Sequence, residues 1–264
     1  MKTIGYAEIE DFLTKNLKHL NSKSQSNAKS ALHDFFAWVR KRRLITHDQV
    51  PEFPIIDVSM KMRNLVDKTT QRAILDKLRE MSWKKNPRIW IAVKWLSTYF
   101  LIRPGEMLSL KEENIDTGIG VIFVQPAGDK NREGKIIELL PEDIELARSL
   151  PRGFPNMPFF RHLAAHSRAK LGHQFHHDLL MRWWARACAA LGVEGVSLYP
   201  GTKHSSVTAL GKEFTPEQIK TASQISTNKA FSRYFRPSPT LVRSIYSSAR
   251  GDAKGRVDNL RETE

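Results

Sequence analysis

The stretch "LIRPGEMLSLKEENIDTGIGVIFVQPAGDKNREGKIIELLPE", Leu101 to Glu142, changes its periodicity partway along and so decides the fold. Its first part restarts a helix after a tight turn. Pro104 sits at a first helical position, where a missing N–H is no loss. Its second part alternates apolar and polar residues on both sides of a turn containing Gly and Asp, the pattern of a β-hairpin. The rest of the chain carries helical periods, so the expected fold class is mainly α with a small antiparallel β-hairpin or sheet.

Upstream, "NPRIWIAVKWLSTYFLI" predicts a strongly apolar helix with Ile89, Ile91, Ala92, Trp95 and Leu96 as core candidates, and "KTTQRAILDKLREM" a shorter one with threonine caps. "THDQVPEFPIIDVSMKM" holds two prolines and no helical period, which marks a linker. The domains are therefore placed at residues 1–50 (small and helical), 51–65 (linker) and 66–264. In the small domain one helix puts Ile9, Phe12 and Leu17 on one side. The next runs Ala28, Leu32, Phe35, Phe36 and Val39 down a core stripe. It ends in Lys41, Arg42 and Arg43, where the helix dipole favours cations and where a phosphate backbone could also lie. Downstream, "PEDIELARSL", "HDLLMRWWARACAAL", "HSSVTALGKEF", "TPEQIKTAS", "NKAFSRYF" and "TLVRSIYSSAR" read as helices, with Trp183 packed and Trp184 partly exposed.

Composition narrows the partners. Among 264 residues, Lys and Arg number 42 against 28 Asp and Glu, a net charge of +14. Such an excess suits a polyanion, because each neutralised phosphate releases condensed counterions. Charge kept for solubility alone is the alternative. No apolar run is long enough to span a bilayer, and the basic residues do not follow one amphipathic helix, so no membrane partner is expected. The opening "MKTIGYAEIEDF" lacks the apolar core of a signal peptide. One cysteine, Cys188, permits no intrachain disulfide, fits a reducing cytoplasm and reads as a buried, inert thiol. Nucleic acid in the cytoplasm is the expected partner.

In "YPGTKHSSVTAL", Lys203 and His204 stand at the head of a helix and upstream of Tyr234 in "STNKAFSRYF". That order of groups suits work on a phosphate. Together with the Arg103 turn and the hairpin lysine Lys130, these segments resemble, in order, the motifs of the tyrosine recombinases (phage integrases). The likeness runs from about Val66 to Ala249, and the N-terminal helices resemble a shortened core-binding domain. The resemblance implies a two-domain, C-shaped clamp on DNA. Tyr234 would attack a phosphodiester to leave a phosphotyrosine, which conserves the bond energy. Arg103 and Lys203 would hold the non-bridging oxygens, Lys130 would protonate the leaving oxygen, and His204 would be structural. Glu106 would support the Arg103 turn. Neither a cofactor nor a metal is expected. Relatives dock a C-terminal helix onto a neighbouring protomer. Here "SPTLVRSIYSSARG", with Leu241, Ile245 and Tyr246, would do so or complete its own core.

Three positions depart from the pattern. Pro200 stands where the family has a histidine, Lys203 where it has an arginine, and Ile225 where it has a histidine or tryptophan. Lysine keeps charge and loses the planar fork. Removing one preorganised donor from such a site costs roughly 2.7–4 kcal/mol, so strand cleavage is expected to be slow or undetectable. The alternative function is a catalytically silent DNA-binding regulator or accessory protein derived from an integrase. An ordinary helix-turn-helix regulator would leave the hairpin and the Arg-Pro-Gly-Glu turn unexplained. His173, His176 and His177 have metal-like spacing with no carboxylate or cysteine in a recognisable ligand pattern, and read as a basic helix face.

Overall fold

The computed structural model describes residues 4–58, 63–126, 134–165, 170–223, 231, 243, 246–247 and 249–250. The chain divides into two units, Met1–Met62 and Arg63–Glu264. Phe53 and Ile56, in the segment expected as a linker, pack onto the core of the first unit.

In the first unit, α1 (Tyr6–Asp11) runs into a π-helical turn, Phe12–Asn16, before α2 (Ser22–Lys41). Asn21 caps α2, its side-chain oxygen accepting from the Ser24 N–H at 2.9 Å. The core is Ile9, Leu13 and Phe36, with Leu17, Ala28 and Leu32 partly buried against it. Three expected core residues, Phe12, Phe35 and Val39, are outside it, Val39 being half-buried. Phe12 is exposed because the wider turn shifts the register and sends Leu13 inward. Phe35 is exposed because only one of the adjacent pair Phe35–Phe36 can face a core contacted by a single side of α2.

The second unit is built around α4 (Pro87–Thr98), from which Ile91, Ala92, Val93 and Trp95 are wholly buried. The expected core residues Ile89, Ile91, Ala92, Trp95 and Leu96 are all inside. Helix α3 (Lys68–Ser82) packs on α4; its cap is Asp67, which accepts from the Thr70 N–H at 2.7 Å. Helix α5 (Pro104–Ser109) follows, with Pro104 in its first turn as expected. Strands β1 (Ile115–Asp116), β2 (Val121–Val124) and β3 (Lys135–Glu138) form an antiparallel sheet in that order. Its register pairs Ile122 with Ile137 and Val124 with Lys135.

Helices α6 (Pro141–Arg148) and α7 (His177–Ala190) close the core. Asp143 of α6 is fully buried and accepts from Trp95 Nε1 at 2.9 Å and the Tyr99 hydroxyl at 2.7 Å, with Lys94 as a third partner. The charge is satisfied on several sides, which is what makes its burial tolerable. Arg88 is likewise buried, donating to the carbonyls of Phe159 and Pro151 and pairing with Glu112, which also holds Arg161. A π-helical turn, Pro200–His204, leads into α8 (Ser205–Leu210), and α9 (Pro216–Ser223) follows. Val207, Ile219 and Phe231 form a smaller cluster beneath these helices. No helix among the described residues is long and apolar enough to cross a membrane.

Trp184 departs from expectation. It is among the most buried side chains, and its Nε1 donates to the Val196 carbonyl at 2.9 Å. Both tryptophans of α7 are needed inside because the helix packs against α3 and α4 together. Cys188 is buried as expected, and burial pushes its thiol up to about 11, away from reactivity.

Candidate active site

Arg103 is the N-cap of α5, in extended conformation. Its N–H donates to Glu106 Oε2 at 2.9 Å and its guanidinium to Glu106 Oε1 at 2.6 Å. The same carboxylate receives the Lys135 ammonium at 2.8 Å. Glu106 is 4% exposed. The Arg103 side chain keeps 35% of its surface and the Lys135 side chain only 6%. Arg103 thus has an accessible guanidinium braced from behind by a buried carboxylate, an arrangement that fixes a donor before any anion arrives.

Lys203 enters from the π-helical turn and is 4% exposed. Burial, then the Arg103 charge, hold its ammonium down to about 8, with Lys135 pushing the same way and Glu106 opposing. Arg103, Lys135 and Lys203 therefore share one electrostatic environment around Glu106, and positive charge exceeds negative among these four described residues. The Lys203 ammonium also lies 6.0 Å from the centre of the Tyr199 ring. His204 is buried, its ring meeting Tyr199 edge-on at 5.3 Å.

The turn carrying Lys203 is fixed from three directions. The Gln71 side-chain amide, from α3, donates to the carbonyls of Gly201 at 2.7 Å and Thr202 at 3.0 Å. Ser205 closes the wide turn, donating through both its N–H and its hydroxyl to the Pro200 carbonyl. Trp184 packs beneath Gly201. Pro200 is buried at the start of the turn and offers no donor there.

Of the residues singled out in the sequence, Arg103, Lys203, His204, Glu106 and Pro200 are described. Lys130, Ile225, Tyr234, Leu241 and Ile245 lie outside the described residues, while Tyr246 is 69% exposed. Lys135 and Gln71 were missed. Lys135 could have been found: in β3 it has the same parity as Ile137, which is buried, whereas Ile136 and Glu138 point away. Gln71 had no such signal. His176 and His177 join Asp178 at the start of α7, with ligand atoms all within 4.8 Å of one another. The structure thus sets a carboxylate beside two of the three histidines, whose rings are exposed.

No protein-family profile matches the chain, and no curated protein matches it in sequence. Solved structures do match. The XerH site-specific recombinase, in a post-cleavage complex with a palindromic difH substrate, superposes with a TM-score of 0.70 at 16% identity, over 94% of this chain and 70% of its own. The Tn1549 transposon integrase, in complex with a circular intermediate DNA, gives 0.65 at 13% identity, over 94% and 86%. A lambda integrase dimer bound to a COC' core site gives 0.62 at 16% identity, over 89% and 65%. The chain has the fold of the tyrosine recombinases.

Proposed function

We propose that this chain binds double-stranded DNA in the cytoplasm. We further propose that it breaks and rejoins strands through a phosphotyrosine at Tyr234, as a recombinase or integrase of the tyrosine recombinase class with weakened catalysis. The observation that carries this reading is the gathering of Arg103, Lys135 and Lys203 about Glu106, within this fold. A phosphodiester placed before them meets one braced, accessible guanidinium and feels the charge of two buried ammonium groups. Charge growing on the non-bridging oxygens in the transition state is met by donors already in position. Tyr234 supplies the nucleophile and Lys130 the proton for the departing deoxyribose oxygen, while His204 shapes the turn. Lys203 provides a point charge where a guanidinium would grip two oxygens, and Pro200 and Ile225 provide no donor, so cleavage is slow.

The test is a nicked half-site whose scissile linkage carries a bridging phosphorothiolate. That leaving group departs without a general acid, and the covalent adduct accumulates. A Tyr234-dependent adduct supports the reading, whereas binding without any adduct refutes strand transfer. A second reading, a silent DNA-binding regulator, is favoured by the burial of Pro200 inside a turn with no donor to offer. Binding without an adduct is its expected outcome. Under either reading duplex affinity falls steeply as salt rises. Self-association on DNA through the C-terminal helix belongs to the same proposal. Deleting residues after Pro239 removes higher-order complexes and spares single-protomer binding.

A further inference from the structure

The first unit leaves a row of aromatic and basic side chains outside its core. Phe35 is 53% and Trp38 50% exposed, and neither belongs to the cluster of Ile9, Leu13 and Phe36. Phe35 and Trp38 on α2, and Arg42 at its C-cap, are spaced three and then four residues apart and so share one face. Their rings lie nearly parallel, with centroids 6.3 Å apart and planes at 27°. The Arg42 guanidinium sits 5.4 Å from the Trp38 ring centre. The row is held from beneath. Phe35 meets Phe36 edge-on at 5.6 Å, and buried Phe36 meets Phe53 at 6.1 Å. The helix ends in Arg40 and Lys41, followed by Arg42 and Arg43.

Flat aromatic faces left in water at the end of a basic helix are expensive unless something covers them. The concentration of positive charge selects a polyanion over a second copy of this basic chain. We propose that Phe35, Trp38 and Arg42 form a platform on which unpaired DNA bases stack, with Arg40, Lys41 and Arg43 along the phosphates. Paired bases hide both faces against their neighbours in the duplex. Unpaired bases present them, and any base will do, because each has a π-face. The guanidinium extends the stack by a cation–π contact. This goes beyond duplex binding and strand transfer, and depends on neither.

The experiment uses the full chain and fluorescence anisotropy with a labelled oligothymidine and, separately, a blunt duplex, at one salt concentration. Trp38→Ala is expected to weaken oligothymidine binding about tenfold, and Trp38→Phe to restore most of it. Duplex affinity stays within about twofold, since phosphate contacts are kept. Equal losses on both DNAs overturn the proposal, as does an unchanged single-strand affinity. Light scattering on the same samples gives the remaining outcome. If Trp38→Ala converts an oligomer to a monomer, the row is a protein interface and the proposal fails. Phe35→Ala serves as a second variant, and a thermal melt confirms that each remains folded. Duplex binding and the Tyr234 adduct are read separately, so loss of this platform leaves the proposed function untouched.

Discussion

Gly201 lies so close beneath the Trp184 indole that a Cβ added to it would stand 2.1 Å from Cζ2 of that ring. Trp184 is 1% exposed and boxed in by α7 and the Val196 carbonyl, so it cannot yield. The glycine is therefore required by space. It sits two residues before Lys203, and its carbonyl is one of the two held by Gln71.

Gly201→Ala tests how tightly that packing holds the site. Overpacking of this kind costs roughly 1–3 kcal/mol. The expected result is a drop in urea midpoint of that size, together with weaker DNA binding, because the turn presenting Lys203 must move. Gly105→Ala is a control in the same unit, where an added Cβ meets nothing within 4 Å and the backbone is helical. Stability lost to the same degree in both variants would remove the Trp184 contact as the cause.

Glu106→Gln keeps the shape of the carboxylate and removes its charge. The variant takes away the charged carboxylate that receives both the Arg103 guanidinium and the Lys135 ammonium. Breaking a buried pair from one side costs about 3–5 kcal/mol. The loss is expected in chemical denaturation at neutral pH, and it should shrink in sulfate, which can occupy the anion position from outside. A variant as stable as the wild type would mean that Glu106 does not carry this load.

Lys203 gives the protein a pH dependence of known sign. Its folded pKa, about 8, lies below the ordinary lysine value of 10.5. Below pH 8 both folded and unfolded chains hold the proton, and the penalty for burying the charge is fully present. Between about 8 and 10.5 the unfolded chain holds a proton that the folded one has released, so stability rises with pH, by up to ~3 kcal/mol. Lys203→Met should remove that rise in urea titrations at successive pH values. DNA affinity should move oppositely, falling above pH 8 as the ammonium discharges, and Lys203→Arg should flatten it. A wild-type binding curve already flat to pH 9.5, roughly an ordinary lysine's behaviour, would contradict the lowered value.

The fold was legible because its decisive segments carry strong periods. Strands β2 and β3 are short runs rich in Val, Ile and Phe on either side of turn residues, and α4 is apolar on nearly every face, so strands and helix are found where the sequence puts them. Local register was less legible. The π-helical turn at Phe12 exchanges Phe12 for Leu13, and nothing in a helical period announces it. At the site, Arg103 was read from its turn and Lys203 from its neighbours. Lys135 was passed over because a lysine beside a turn resembles a solvated charge until strand parity is applied. Gln71 acts on backbone carbonyls 130 residues away, and a contact made through backbone carries no residue-type signature.

The proposed weakening of catalysis rests on Pro200, Lys203 and Ile225. If donors are missing, restoring them should help in a defined order. Lys203→Arg matters most, because a guanidinium grips two oxygens whose charge grows in the transition state. The position is tight, at 4% exposure, and the larger fork must find room beside Arg103 and Glu106. Some stability, roughly 1–3 kcal/mol, is expected to be lost in exchange. Ile225→His comes next, adding a phosphate donor. Pro200→His is the least favourable, since Pro200 begins the turn and its carbonyl anchors Ser205. The double variant Lys203→Arg with Ile225→His should raise covalent adduct formation on the phosphorothiolate half-site at least about tenfold, ~1.4 kcal/mol of barrier. Tyr234→Phe should abolish it. A wild type that already cleaves efficiently would mean that Lys203 suffices as a point charge. A double variant that binds DNA normally yet forms no adduct would place the deficit beyond these side chains, and the silent-regulator reading would stand.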